Sequence, residues 1–121
     1  RKVDNIDGYG YVYRPQGCCM MVDVKKMNEV DYFDEKTFLY FEESILAEKL
    51  LEKGYKCACN FTTSIIHNHS KTVKSTFDIN KIIKINNKSF DYYLRKYRKF
   101  NWLQIKICCF FNSLKMKRLN K

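Results

Sequence analysis

The run EESILAEKLLEKGY, residues 42–55, fits one solution far better than any other: an amphipathic helix. Leu46, Ala47, Leu50 and Leu51 recur at spacings of three and four and share one face, while Glu48, Lys49, Glu52 and Lys53 take the other. The spacing predicts a helix over 43–53. Glu42 and Glu43 stand at its start, where the positive end of the helix dipole favours carboxylates. Gly54 stands where a left-handed C-terminal cap belongs. Four aromatics, Phe33, Phe38, Tyr40 and Phe41, come before the acidic pair. Two readings of that pair are open. One is a solvated helix start. The other is a general base, because a carboxylate beside a second carboxylate, with rings limiting its hydration, has its pKa pushed upward.

A chain of 121 residues is at most one domain and can bury a core. Its 45% hydrophobic and 16% aromatic content excludes a disordered class. The opening RKVDNIDGYG has no initiator Met and no apolar signal run, so the chain is expected to be an excerpt of a longer one. Charge divides it. Residues 1–70 hold 9 Lys/Arg and 11 Asp/Glu, whereas residues 71–121 hold 14 and 2. The back half is therefore expected to face an anionic partner.

Elsewhere the pattern is less regular. YGYVYRPQG alternates aromatics and then breaks at Pro15 and Gly17; CCMMVDV, residues 18–24, has the length of a buried strand. A short helix is expected near 26–30, and extended segments at YKCACNF and TSIIHNH. From Phe90 a second helical stripe runs through Leu94, Tyr97, Phe100, Leu103, Ile107, Phe110 and Leu114, with Arg95, Lys96, Arg98, Lys99 and Lys106 largely off it. No apolar run reaches the roughly 20 residues of a membrane span.

The six cysteines form two vicinal pairs and Cys57-Ala58-Cys59. Without a secretory signal they are expected to be reduced and mostly buried. His67 and His69, the only histidines, would share a face on a strand and suit a metal through neutral imidazole. A rival grouping of Cys57, Cys59, His67 and His69 as a zinc site departs from the usual ligand spacings. The basic, aromatic back half suits either nucleic acid or the interface of an anionic bilayer.

In order, these pieces resemble family-two glycosyltransferases of the GT-A fold, the rhamnosyltransferase-like members in particular. The matching series is Gly17 with CCMMV, Asp34-Glu35, FLY at 38–40, Glu42-Glu43, Gly54-Tyr55 and IIHNHS at 65–70, covering about residues 15–75. The resemblance implies an α/β fold: residues 1–75 as the acceptor-side part of a Rossmann-like GT-A domain, and residues 76–121 as a basic extension of amphipathic helices.

It also implies a function. The chain would be part of an inverting glycosyltransferase that moves a sugar from a nucleotide-diphosphate donor to a glycan or lipid-linked acceptor. Glu43 would be the catalytic base and Glu42 the alternate. Gly17, Asp34, Tyr40 and Phe41 would contact substrate, and His67 or His69 would help hold a divalent metal, Mn2+ or Mg2+. Residues 90–114 would lie against an anionic membrane, which places the protein in the cytoplasm at the inner face of the cell membrane, with no nucleic-acid partner. The family's D-x-D metal motif occurs nowhere in the sequence. The nucleotide-binding half is thus expected upstream, and the 121 residues alone are expected to be inactive and poorly stable. The alternative from another class is a small basic nucleic-acid-binding module.

Overall fold

In a computed structural model, residues 5–67 and 77–119 are described. Their fold is mixed and mostly helical. Strands β1 (Asn5–Ile6) and β2 (Tyr9–Val12) are followed by helices α1 (Val24–Glu29) and α2 (Glu42–Glu52), strand β3 (Cys57–Asn60), and helices α3 (Ile79–Lys96) and α4 (Trp102–Leu119). The chain divides into two compact units: Arg1–Asp34 with Glu42–His67, and Glu35–Phe41 with Asn68–Lys121.

In the first unit a small sheet runs in the order β1-β2-β3, every pairing antiparallel. A Rossmann-like reading anticipates parallel strands. Here β1 and β2 are joined by Asp7 and Gly8 alone, at φ 51° and 80°. A two-residue turn with both φ positive can connect only antiparallel neighbours. The main ladder pairs Tyr9 with Asn60 and Val12 with Cys57.

The strand expected over residues 18–24 does not form. Asp23 accepts hydrogen bonds from the N–H groups of Lys25 and Lys26 at 3.0 and 3.3 Å and so caps α1, drawing Val24 into a helix. Cys18 and Cys19 are exposed, as is Met21. The expectation of mostly buried thiols therefore fails: all six cysteines are free, and the other four are only partly buried. An apolar run of strand length becomes a turn here because the cap lies inside it.

Helix α2 follows its sequence pattern closely. It begins at Glu42 and ends in a complete left-handed cap. Gly54 sits at φ 78°, its N–H donates to Leu51 O at 2.9 Å, and the N–H of Tyr55 reaches Leu50 O at 2.9 Å. The buried face is displaced by one residue from the expected one. Ile45, Leu46 and Ala47 are buried, whereas Leu51 is exposed. Leu46 packs with Met27 and Val30, and Leu50 lies against that cluster. Lys49 donates to the carbonyls of Asp31 and Tyr32 at 3.0 and 2.7 Å. Those two residues hold φ 53° and 47°, a region that Asp adopts readily and that is costly for Tyr32, and the ammonium ties both carbonyls of that turn.

The second unit is built on α3 and α4. Asp78 caps α3 by accepting from the N–H groups of Asn80 and Lys81 at 2.9 and 3.0 Å. Ile82, Ile83, Tyr93 and Leu94 face inward, joined by Ile105 of α4. The single stripe expected from Phe90 to Leu114 is in fact two helices. Lys99 turns the chain at φ 56°, and Asn101 and Gln104 form a reciprocal capping box with N–H to side-chain distances of 2.9 and 3.0 Å. Side-chain amides, one of them the buried Asn86, link the two helices. Asn112 Nδ2 donates to the Oδ1 atoms of Asn86 and Asn87 at 2.6 and 2.9 Å, and Asn87 Nδ2 donates to Ser113 Oγ at 2.7 Å. Residues 35–41 join this unit: Ser89 Oγ donates to Leu39 O at 2.7 Å, and Phe41 stacks on Phe90 with centroids 4.8 Å apart.

Candidate functional site

The first turn of α2 presents the acidic pair, and its two members live in different surroundings. Glu43 is anchored. Its Oε1 accepts the backbone N–H of Gly17 at 3.0 Å, and its Oε2 lies 3.9 Å from the guanidinium of Arg14. A Cβ at Gly17 would come within 2.5 Å of Glu43 Oε1, so a side chain there would displace the carboxylate. Both contacts are charge-assisted and fix the position of the carboxylate.

Glu42 is different. Its Oε2 is buried with no hydrogen-bond partner among the described residues. Desolvation pushes its carboxyl pKa above the ordinary value; the residue's own backbone N–H opposes the rise, the charge of Glu43 adds to it, and Arg14 lowers it slightly. The upward shift anticipated for the acidic pair thus falls on Glu42. A buried acceptor without a donor costs about 1–3 kcal/mol, so it marks a position where a polar partner would be gained.

The remaining residues singled out in the sequence are dispersed. Asp34 is partly buried at the end of a first-unit segment. Tyr40 and Phe41 belong to the second unit, both at φ 69°. Such backbone is costly for aromatic residues. The Phe41 ring is held there by stacking on Phe90 and, at 5.6 Å, on Tyr93. His67 is exposed and lies in no strand, because the segment over 63–67 has no regular structure. His69 lies outside the described residues.

Among the described residues no three His, Cys, Asp or Glu side chains gather to hold a metal. That applies equally to the zinc grouping, although Cys57 and Cys59 do share one face of β3 as their spacing requires. The residue that sequence reasoning missed is Arg14. Its only signal was a cation three positions before the Gly17 that the motif series had already marked.

Compared with known proteins, the chain matches no family model, no curated protein and no solved structure.

Proposed function

We propose that this chain is the acceptor-side portion of an inverting glycosyltransferase of the GT-A type, with Glu42 as general base and Glu43 as its anchored neighbour. The observation that carries the reading is the contrast within the pair: one carboxylate tied to Gly17 and Arg14, the other desolvated, raised in pKa and with one oxygen, Oε2, lacking a donor. A base works best with its pKa near the working pH, and Glu42 is moved in that direction. An acceptor-sugar hydroxyl would supply the hydrogen bond that Oε2 lacks. In the reaction its proton passes to Glu42 while its oxygen attacks the anomeric carbon. The bond from that carbon to the departing nucleotide diphosphate breaks on the opposite face, and the configuration inverts. Gly17 and Arg14 hold the Glu43 carboxylate in place beside Glu42.

The chain contains no D-x-D, so the proposal assigns the donor diphosphate to residues outside these 121. A divalent metal belongs to the proposal as companion of the donor, and no step of the described residues runs through it. The acceptor is a glycan or lipid-linked sugar presented at an anionic membrane face. The test is sugar transfer by the enzyme containing this chain. Glu42→Gln is expected to lower kcat by about 10²–10⁴-fold, the usual contribution of a general base. Transfer retained at the parent rate removes the assignment.

A second reading is favoured by one feature of α3. Lys81, Lys84 and Lys88 line an open groove with Asp78, Asn80 and Ile85, which suits a phosphate backbone. Under that reading the chain is a basic nucleic-acid-binding module. Binding of single-stranded oligonucleotide with a steep salt dependence supports it, and equally weak binding at low and high salt removes it.

A further inference from the structure

Helix α4 is apolar on two opposite sides, and only one of them is used. Ile105 and Asn112 turn toward α3. On the far side Leu103, Ile107, Phe110, Phe111 and Leu114 are all exposed, the two phenylalanines by 61% and 63%. At 3.6 residues per turn these five side chains lie within an arc of about 100°, a continuous apolar stripe along the helix. Exposed stripes of this kind on a soluble surface mark a binding face.

The borders of the stripe say what covers it. Lys106 and Lys117 flank one edge, Lys115 flanks the other, and Arg118 stands at the C-terminal end, all exposed. Residues 102–119 contain no Asp or Glu. Trp102, 69% exposed, opens the helix. An apolar band with cations on both edges and at its C-terminal end, and no anion on the element, is complementary to a surface that is apolar inside and negative at its rim. That describes the headgroup layer of an anionic bilayer. Lysine stems can lie along the apolar band while the ammonium groups reach the phosphates. No helix among the described residues is long and apolar enough to cross a membrane, so α4 would lie in the plane of the interface.

We infer that the outer face of α4, and not the whole stretch 90–114, is a membrane-docking surface for anionic phospholipid. The inference rests on the membrane-facing part of the proposal above and narrows it. Phe90 and Leu94 are turned into the core of the second unit, so the lipid contact begins at α4.

Trp102, the only tryptophan, opens α4 about 130° around the helix from the middle of the stripe, so a reporter is moved onto the face by Leu114→Trp in a Trp102→Phe background. This full chain is mixed with vesicles of phosphatidylcholine alone, or of phosphatidylcholine with phosphatidylglycerol. Sedimentation and tryptophan emission are followed together. The expected result is sedimentation with the anionic vesicles only, a blue shift of emission, and quenching by brominated lipid. Adding Phe110→Ser and Phe111→Ser is expected to weaken partitioning by about tenfold or more, with helical circular dichroism retained. Sedimentation with the reporter still in a water-like environment overturns the α4 assignment while leaving membrane association intact. Failure to sediment with either vesicle overturns both. A lipid-free chain of dimer mass with the reporter already blue-shifted also overturns the inference, because a second copy then covers the face.

Discussion

The backbone N–H of Gly17 donates to Oε1 of Glu43 at 3.0 Å, which ties a loop to the first turn of α2 across 26 positions. The contact is possible only because Gly17 carries no Cβ. In Gly17→Ala the new methyl would press on the end of a flexible side chain, which can rotate away, so stability is expected to change by less than about 1 kcal/mol. The carboxylate, however, loses its position. If the pair acts in sugar transfer, a misplacement on the 1 Å scale lowers kcat by about 10²-fold. Thermal melts and steady-state rates on the same preparation separate the two effects.

Glu42 gives a pH signature. Its pKa in the folded chain lies above the ordinary glutamate value, so between those two values the folded state holds more of its proton than the unfolded state does. Its contribution is therefore most favourable below the ordinary value and declines as pH rises through the folded one. Glu42→Gln, which removes the desolvated charge, is expected to be at least as stable as the parent at pH 7 and to lose that part of the acid-range pH dependence. Denaturant midpoints of both proteins across the range from pH 4 to pH 8 check this. A variant less stable than the parent at pH 7 contradicts it.

Gly54 has φ 78° and nothing within 4 Å of where a Cβ would sit. The cost of Gly54→Ala is therefore conformational and not steric. A left-handed alanine costs about 1–2 kcal/mol, partly offset by reduced freedom of the unfolded chain. A loss of about 1 kcal/mol would lower Tm by about 4–8 °C in a unit of this size. Gly54→Asn is expected to fall between alanine and the parent, because Asn tolerates this region better.

Asn112 donates to two acceptors on α3. Asn112→Ala leaves Asn86 Oδ1 and Asn87 Oδ1 without that donor, and the expected loss is about 1–3 kcal/mol. Asn86 is itself buried, so a double-mutant cycle of Asn86→Ala with Asn112→Ala should show coupling well above experimental error. Additive losses would mean that the amides are not acting across the helix pair.

Much of the local structure is legible in the sequence. The α2 helix and its glycine cap follow from three-and-four spacing and Gly54, which act within one turn. The Asp7-Gly8 hairpin, the Asp78 cap and the Asn101–Gln104 capping box are equally local, and each is written in the sequence. Periodicity alone merges α3 and α4 into one stripe, and the Asn101–Gln104 box divides them. Apolar run length alone makes residues 18–24 a strand, and the Asp23 cap overrides it.

What the sequence determined by itself is the set of elements whose cause is short-ranged: periodicity, caps and turns, together with the basic charge of the second half. The tertiary structure alone decided which apolar side is used and which carboxylate is left with an unpartnered oxygen. Glu42 and Glu43 are chemically identical neighbours, and only the contacts of Gly17 and Arg14 with one, and the buried Oε2 of the other that meets no donor among the described residues, distinguish them. The two apolar sides of α4 likewise differ only in what packs on them. Burial is a property of distant parts of the chain brought together, and no local pattern carries it.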